Sequence, residues 1–267
     1  MKKKDEPVPS QDLRGRVKVE PGEGAVQVRW QRGPLNIFDS RLLRDLAQAL
    51  KTPEVLEARA VVLRGDGGCW SAGFAVEDHL RPKVREMMSA FREALAGLRS
   101  VPAPTIAEVE GHCLGGGLEL LMACDLALGA SSATFGQPEI RLGVFPPFGV
   151  ATYERLLGPR PARELLFLGS TVDAQDALRL GILNRVVPDG QLGSEVAKIA
   201  RTLSSYRPAT LRLQKRLMGE DQMSALVRAE SSYLNELMAA PDAEDGLKRF
   251  LEKRAAAPPS TPAARSS

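Results

Sequence analysis

"GHCLGGGLELLMACD", Gly111 to Asp125, sets three consecutive glycines directly before an apolar segment of helical character, with Glu119 among its leucines. Glycine runs cost backbone entropy and a buried acid costs solvation. A chain that accepts both at one junction has a use for exposed amides and an acid. Upstream, "APTIAEVEG" reads as a strand, and downstream "CDLALGA" reads as another. A strand feeding a glycine turn, a helix and a further strand is α/β layering. At such a junction the first helical N–H groups lack intrahelical partners, and the helix dipole favours negative charge there. Gly115, Gly116 and Gly117 can therefore form half of an oxyanion site. A tight turn that needs glycine only for packing is an equal reading of the triplet taken alone.

The pattern extends outward from this junction. "RVKVE" and "GAVQVRW" alternate like paired strands around a glycine turn. "SRLLRDLAQAL" has leucines at helical spacing after a Ser40 cap, and "KVREMMSAFREALAGLRSV" is an amphipathic helix. "RAVVLRG" and "LNRVVP" read as short strands. "RPARELLFLG" and "DAQDALRLG" read as helices stopped by glycine. From residue 192 the pattern is almost wholly helical. These features predict an α/β core over residues 13–190, a helical region over 191–256, and disordered tails at 1–12 and 257–267.

Bulk properties narrow the function. The 267 residues are 43% hydrophobic and carry a net charge of +3, so charge balance gives no case for nucleic acid. The mixed acids and bases of "KVREMMSAFREALAGLRS" make a poor RNA-binding comb. No run reaches the length of a membrane span. Three cysteines without metal-ligand spacing, two histidines and no apolar leader predict a cytoplasmic protein with reduced thiols and no metal site.

A second amide source is "CWSAGFAVEDH", Cys69 to His79, where small residues follow a strand and the Phe74 amide could be the other half of the site; taken alone, the stretch reads more readily as a plain loop. Glu139, in "TFGQPEIRLG", lies twenty residues after Glu119. A two-turn helix and a returning strand fit that interval and would bring the two acids level. Two carboxyls beside an amide-lined pocket can divide acid and base work. Read singly, Glu139 is equally a capping or surface acid. His79 and His112 pair with no nucleophile and read as loop or packing residues. Cys113 and Cys124 read as small buried apolar groups.

Taken together, "GHCLGGGLELLMACDLALGASSATFGQPEIRLG", "SAGFAVED", "GPLNIFD", "DAQDALRLGILNRVVP" and "DGLKRFLEKR" resemble, in order over roughly residues 17–255, the crotonase or enoyl-CoA hydratase/isomerase superfamily. The resemblance implies a spiral of ββα units with a C-terminal helical trimerisation region, assembled as a homotrimer or hexamer. It implies an acyl-CoA hydratase/dehydratase in which the amides of Phe74 and Gly116 hold a thioester enolate oxygen. Glu119 would serve mainly the water and Glu139 mainly the proton. It places Arg32, Asn36, Ile37, Ala72, Gly73, Gly115, Phe148, Phe250 and Lys253 along the acyl-CoA path, with the last two near CoA in relatives and often reaching a neighbouring subunit. Coenzyme A enters as part of the substrate, and no separate cofactor is implied.

The chain departs from the family pattern in "VFPPFGVATYERLLG", Val144 to Gly158, where prolines and Phe148 replace flexible glycines and predict a stiffer acyl pocket. "VEDH" after "SAG", together with "FPP", resembles the cyclic dienoyl-CoA hydratases. Phe74 stands where a small residue is usual and would narrow the site. Isomerase, C–C hydrolase and decarboxylase chemistry are the alternatives within the superfamily, while RNA binding or a silent scaffold lies outside it.

Overall fold

Alternating valines pair Val17–Gly22 (β1) with Ala25–Trp30 (β2) as an antiparallel hairpin, Val19 opposite Val28. In the computed structural model, which describes residues 16–218, 222–240 and 243–256, this hairpin edges a six-stranded sheet. The tails expected at 1–12 and 257–267 lie outside the described residues. Val61–Gly65 (β3), Thr105–Val109 (β4), Leu126–Ala130 (β6) and Arg185–Val187 (β9) follow in that order, each parallel to its neighbour. β3, β4 and β6 are almost continuously buried, as parallel strands covered on both faces must be.

The helices are Ser40–Ala49 (α1), Pro53–Glu57 (α2), Val84–Ser100 (α3), Gly116–Met122 (α4), Pro147–Leu157 (α5), Pro159–Leu168 (α6), Ala174–Arg179 (α7), Leu192–Ser205 (α8), Pro208–Met218 (α9), Gln222–Ser232 (α10) and Asp245–Ala256 (α11). One sheet face packs Val62, Ile106 and Leu128 against Leu192, Val196 and Ala200 of α8. The opposite face, with Leu63, Ala107 and Val109, joins the main core of α1, α3 and the aromatic residues Trp30, Trp70 and Phe91. The cap of α1 is Asp39 rather than Ser40: Leu42 N donates to Asp39 Oδ1 at 2.7 Å, and Ser40 is already helical.

A small second sheet, absent from the sequence reading, joins His112–Leu114 (β5), Thr134–Gly136 (β7) and Thr171–Asp173 (β8). β5 runs parallel to β7, and β7 antiparallel to β8. The bridge Ser71–Cys113 extends this sheet to the loop after β3. Each turn of the chain therefore lays one strand in the large sheet and one segment in the small sheet, then a helix. This is the α/β spiral of ββα units, followed by a helical C-terminal region.

Between Glu119 and Glu139 the chain makes two strands, β6 and β7, where one was expected. A short 3₁₀ turn, Pro138–Leu142, then carries Glu139. The "FPPFG" stretch, read as a stiff loop, opens a helix. Pro147 occupies the first helical position of α5, where a missing N–H costs nothing and its fixed φ suits the helix.

Candidate active site

Gly115 decides how the second strand becomes a helix. Its φ of 54° and ψ of −129° lie outside the range of residues with a side chain. Its own amide donates to Gly136 O at 2.9 Å and is used up in the small sheet. Gly116 then begins α4, so its N–H has no carbonyl within the helix to meet. On the facing loop, Phe38 N donates to Gly73 O and Ala75 N to Phe38 O, both at 2.8 Å. That parallel bridge turns the intervening Phe74 N–H to the other side of the strand. The two loops touch: a Cβ added to Gly73 would stand 3.7 Å from Gly116 N.

The Phe74 ring packs into this junction. It lies over Gly116, where an added Cβ would fall 2.3 Å from its Cζ, and it packs edge-on against Phe91. A residue larger than glycine at 116 would separate the loop from the helix. Trp70 fastens the same contact by donating from Nε1 to Gly117 O at 2.8 Å. Ser71 Oγ donates to Asn36 O and accepts from Gly73 N, which holds the turn before Phe74.

Glu119 is fully buried. Its Oε1 accepts from Phe148 N at 2.7 Å and Gly149 N at 3.0 Å, the first amides of α5. The carboxyl thus caps a helix on another element, where the dipole favours an anion. Glu139 is 7% exposed, and its Oε1 accepts from Gln137 Nε2 at 3.2 Å. That same Oε1 comes so near Gly115 that an added Cβ would stand 2.7 Å from it. Oε2 of each acid is buried without a hydrogen-bond partner among the described residues. Burial raises both carboxyls above their ordinary range, and the Glu139 charge raises Glu119 further, while the Phe148 and Gly149 amides oppose the rise.

Some of the other expected positions line an outer cavity and the rest are held within the loops around the two acids. Arg32 and Ile37 line a cavity of about 850 Å³ together with Arg41, Arg44, Lys83 and Arg254. Its cations already have partners: Arg32 pairs with Asp39 at 2.8 Å, Arg44 with Glu86 at 2.7 Å and Arg254 with Glu77. Asn36 is fully buried, and its side chain is consumed by the loop, donating to Asp66 O and Cys69 O and accepting from Arg32 N. Ala72 N donates to Leu35 O. Phe148 meets Glu119 through its amide. Phe250, 40% exposed, and Lys253 lie on α11, and neither lines the cavity, which Arg254 reaches instead. In this chain α11 packs on its own 3₁₀ turn Val76–His79.

The histidines separate. His112 is exposed beside Thr134. His79 is buried, with Nδ1 at 2.7 Å from the Tyr233 hydroxyl, and burial lowers its pKa to about 4. Cys113 is buried, Cys124 partly so, and all three cysteines are free.

Four residues of the site escaped the sequence reading. Gln137 holds Glu139, Tyr153 O–H donates to Gln137 Oε1 at 3.0 Å, Tyr233 reaches His79, and Trp70 ties the amide loop to α4. Gln137 had a legible signal, a polar group two residues before an acid in an apolar run. Tyr233 lies in a π-helical turn, Tyr233–Leu237, of the C-terminal region, and nothing local marks it.

Comparison with known proteins identifies the family. The family described as Enoyl-CoA hydratase/isomerase matches residues 20–257, and the chain belongs to that family. It is 32% identical over 248 residues to the cyclohexa-1,5-dienecarbonyl-CoA hydratase of Thauera aromatica, covering 90% of this chain and 95% of that protein. It is 35% identical over 243 residues to the short-chain-enoyl-CoA hydratase of Clostridium acetobutylicum, covering 87% and 93%. Among solved structures, an enoyl-CoA hydratase/isomerase from Xanthobacter autotrophicus Py2 superposes with a TM-score of 0.77 at 28% identity, over 92% of this chain and 99% of that one. The chain is an enzyme of the hydratase class, a hydro-lyase. No described helix is long and apolar enough to cross a membrane.

Proposed function

We propose that this chain adds water reversibly to a 2-enoyl-CoA thioester, using Glu119, Glu139 and the amides of Phe74 and Gly116. The observation that carries this reading is the pair of buried carboxyls, each with one oxygen fixed and the other unpartnered. Two backbone amides at a helix N-terminus favour the anion on Glu119, and the proton of the pair then rests on Glu139. Glu119 takes a proton from water as the oxygen attacks Cβ. Glu139 gives its proton to Cα, and a proton returning from Glu119 to Glu139 resets the pair. Meanwhile the amides of Phe74 and Gly116 meet the charge on the thioester oxygen, an effect worth roughly 3 kcal/mol per donor in such sites. Acid, base and amides account for every bond made and broken, so no cofactor beyond substrate CoA is needed. Isomerisation needs no water activated at Cβ, and two free acid oxygens favour hydration over it.

For the acyl group we favour a cyclic dienoyl thioester. The Thauera aromatica relative is named for such a substrate, and rings pack in series outward from the Phe74 loop: Phe74 beside His79, His79 beside Tyr233, and Tyr233 edge-on to Phe145. The outer cavity of Arg32, Arg44, Lys83 and Arg254 suits CoA phosphates, which would exchange with the acids now paired there. Exposed Leu213, Leu217 and Met218 on α9, which has no buried residue, support assembly through the C-terminal region into a trimer or hexamer. Three unpaired cysteines fit a reducing, cytoplasmic compartment.

The test is loss of conjugated-thioester absorbance across crotonyl-, 3-methyl-enoyl- and cyclic dienoyl-CoA. We expect the cyclic substrate to gain one water, with Glu119→Gln and Glu139→Gln each lowering kcat by about a thousandfold or more. Thioesters that bind but stay unchanged in the wild type would remove this reading.

A further inference from the structure

We propose that Tyr153 is a positioning residue for Glu139, acting through Gln137 to reserve Glu139 Oε2 for the proton that moves. The meaning of that proton rests on the hydratase reading above, whereas the bond network does not. The Tyr153 hydroxyl donates to Gln137 Oε1 at 3.0 Å, and Gln137 Nε2 donates to Glu139 Oε1 at 3.2 Å. Tyr153 and Gln137 are fully buried and Glu139 nearly so, which leaves little room for water to substitute for either bond. Burial, and after it the nearby Glu119 charge, hold the phenol protonated, so it remains a donor.

A primary amide can turn over and exchange its oxygen and nitrogen. Turned over here, Gln137 would aim N–H at the phenol oxygen and leave the phenol hydrogen without an acceptor. The Tyr153 hydroxyl has no second hydrogen-bonded acceptor among the described residues. A buried donor left unsatisfied is costly, so the phenol fixes the amide in one orientation. An amide N–H facing Glu139 Oε1 makes that oxygen an acceptor only. The acid proton must then sit on Oε2, the atom that has no partner among the described residues.

The placement of Tyr153 links the two acids. It lies on α5, whose first amides hold Glu119 Oε1. One helix therefore engages one oxygen of each carboxyl, directly at Glu119 and through Gln137 at Glu139. The other titratable groups near the pair are the Tyr233 hydroxyl with its partner His79, the Cys113 thiol on β5, and Glu230 with Arg92 beside Glu119. Of these, none hydrogen-bonds the Glu139 side chain among the described residues.

The experiment is a carbon-13 NMR titration of the Glu139 carboxyl in the full chain, with kcat and KM measured across pH on the same samples. In Tyr153→Phe the released amide can present its oxygen to Glu139, which favours the neutral acid. The titration midpoint should rise by about half a unit or more, the corresponding limb of the kcat profile should move with it, and kcat should fall about tenfold with KM nearly unchanged. Gln137→Met should move the midpoint the same way, and it carries the test if Tyr153→Phe fails to fold. The double variant should be no worse than the more impaired single one. An unmoved midpoint in a folded single variant, or losses that multiply in the double variant, overturns the proposal. A wild type with no hydration activity removes the catalytic reading instead, and the titration still decides the network.

Discussion

At the scale of single residues, the site stores unfavourable burial at the two acids. Glu139 sits above its ordinary carboxyl range because burial disfavours its charge. The folded chain therefore keeps a proton that the unfolded chain releases above about pH 4.5. Stability falls as pH rises from there through the folded value, and the full penalty applies above it. Glu139→Gln keeps an acceptor for Gln137 and removes the ionisation. Thermal unfolding should show the variant melting higher than wild type at pH 8, with the difference closing near pH 4. Equal melting temperatures at pH 8 would mean that the carboxyl carries no burial penalty. Gly115 and Gly116 belong to the same scale: one supplies a backbone conformation, the other the absence of a Cβ beneath Phe74.

At the scale of elements, helix ends do most of the positioning. The N-terminus of α4 offers the Gly116 amide, and that of α5 holds Glu119. The N-terminus of α1 shapes the outer cavity, because Asp39 caps it through Leu42 N and also binds Arg32. Asp39→Ala should cost about 1–2 kcal/mol, the usual value of a cap. Asp39→Asn keeps the capping oxygen and loses only the partly exposed ion pairs, so it should cost less than about 1 kcal/mol. Urea unfolding of both variants measures the split, and equal losses would assign the effect to charge instead of capping. The strands β5, β7 and β8 show why elements were missed. Three residues are too few to display an alternation, and each exists because the ββα winding brings it beside the next. Helix α5 starts at two prolines, which the sequence reading took only as stiffening the acyl pocket.

At the scale of the whole molecule, the C-terminal region closes over the spiral. Tyr233 reaches His79 across 154 positions of sequence, and Arg92 binds Glu230 across 138. His79 is buried with a pKa lowered to about 4 from 6.5, so the unfolded chain takes up the proton first. Its contribution to stability is complete above pH 6.5 and is lost as pH falls toward 4, roughly 3 kcal/mol over the window. His79→Gln should flatten that part of the pH dependence of unfolding free energy relative to wild type. A variant with the wild-type slope would show that His79 is not buried neutral in solution.

The sequence by itself determined the α/β layering, and the spiral winding entered only through the likeness to one family. Strand and helix periods report which side chains face a core, and both act over a few residues. So the strands of the large sheet, the glycine junction at 115–117 and the two acids at Glu119 and Glu139 were legible, as was their likeness to one family. The tertiary structure alone decided what each acid touches. Phe148 and Gly149 reach Glu119 from 29 and 30 residues away, and Tyr153 reaches Gln137 from 16. Contacts of that range leave no periodic trace, because their geometry is set by packing between elements and not by the residues next to them in the chain.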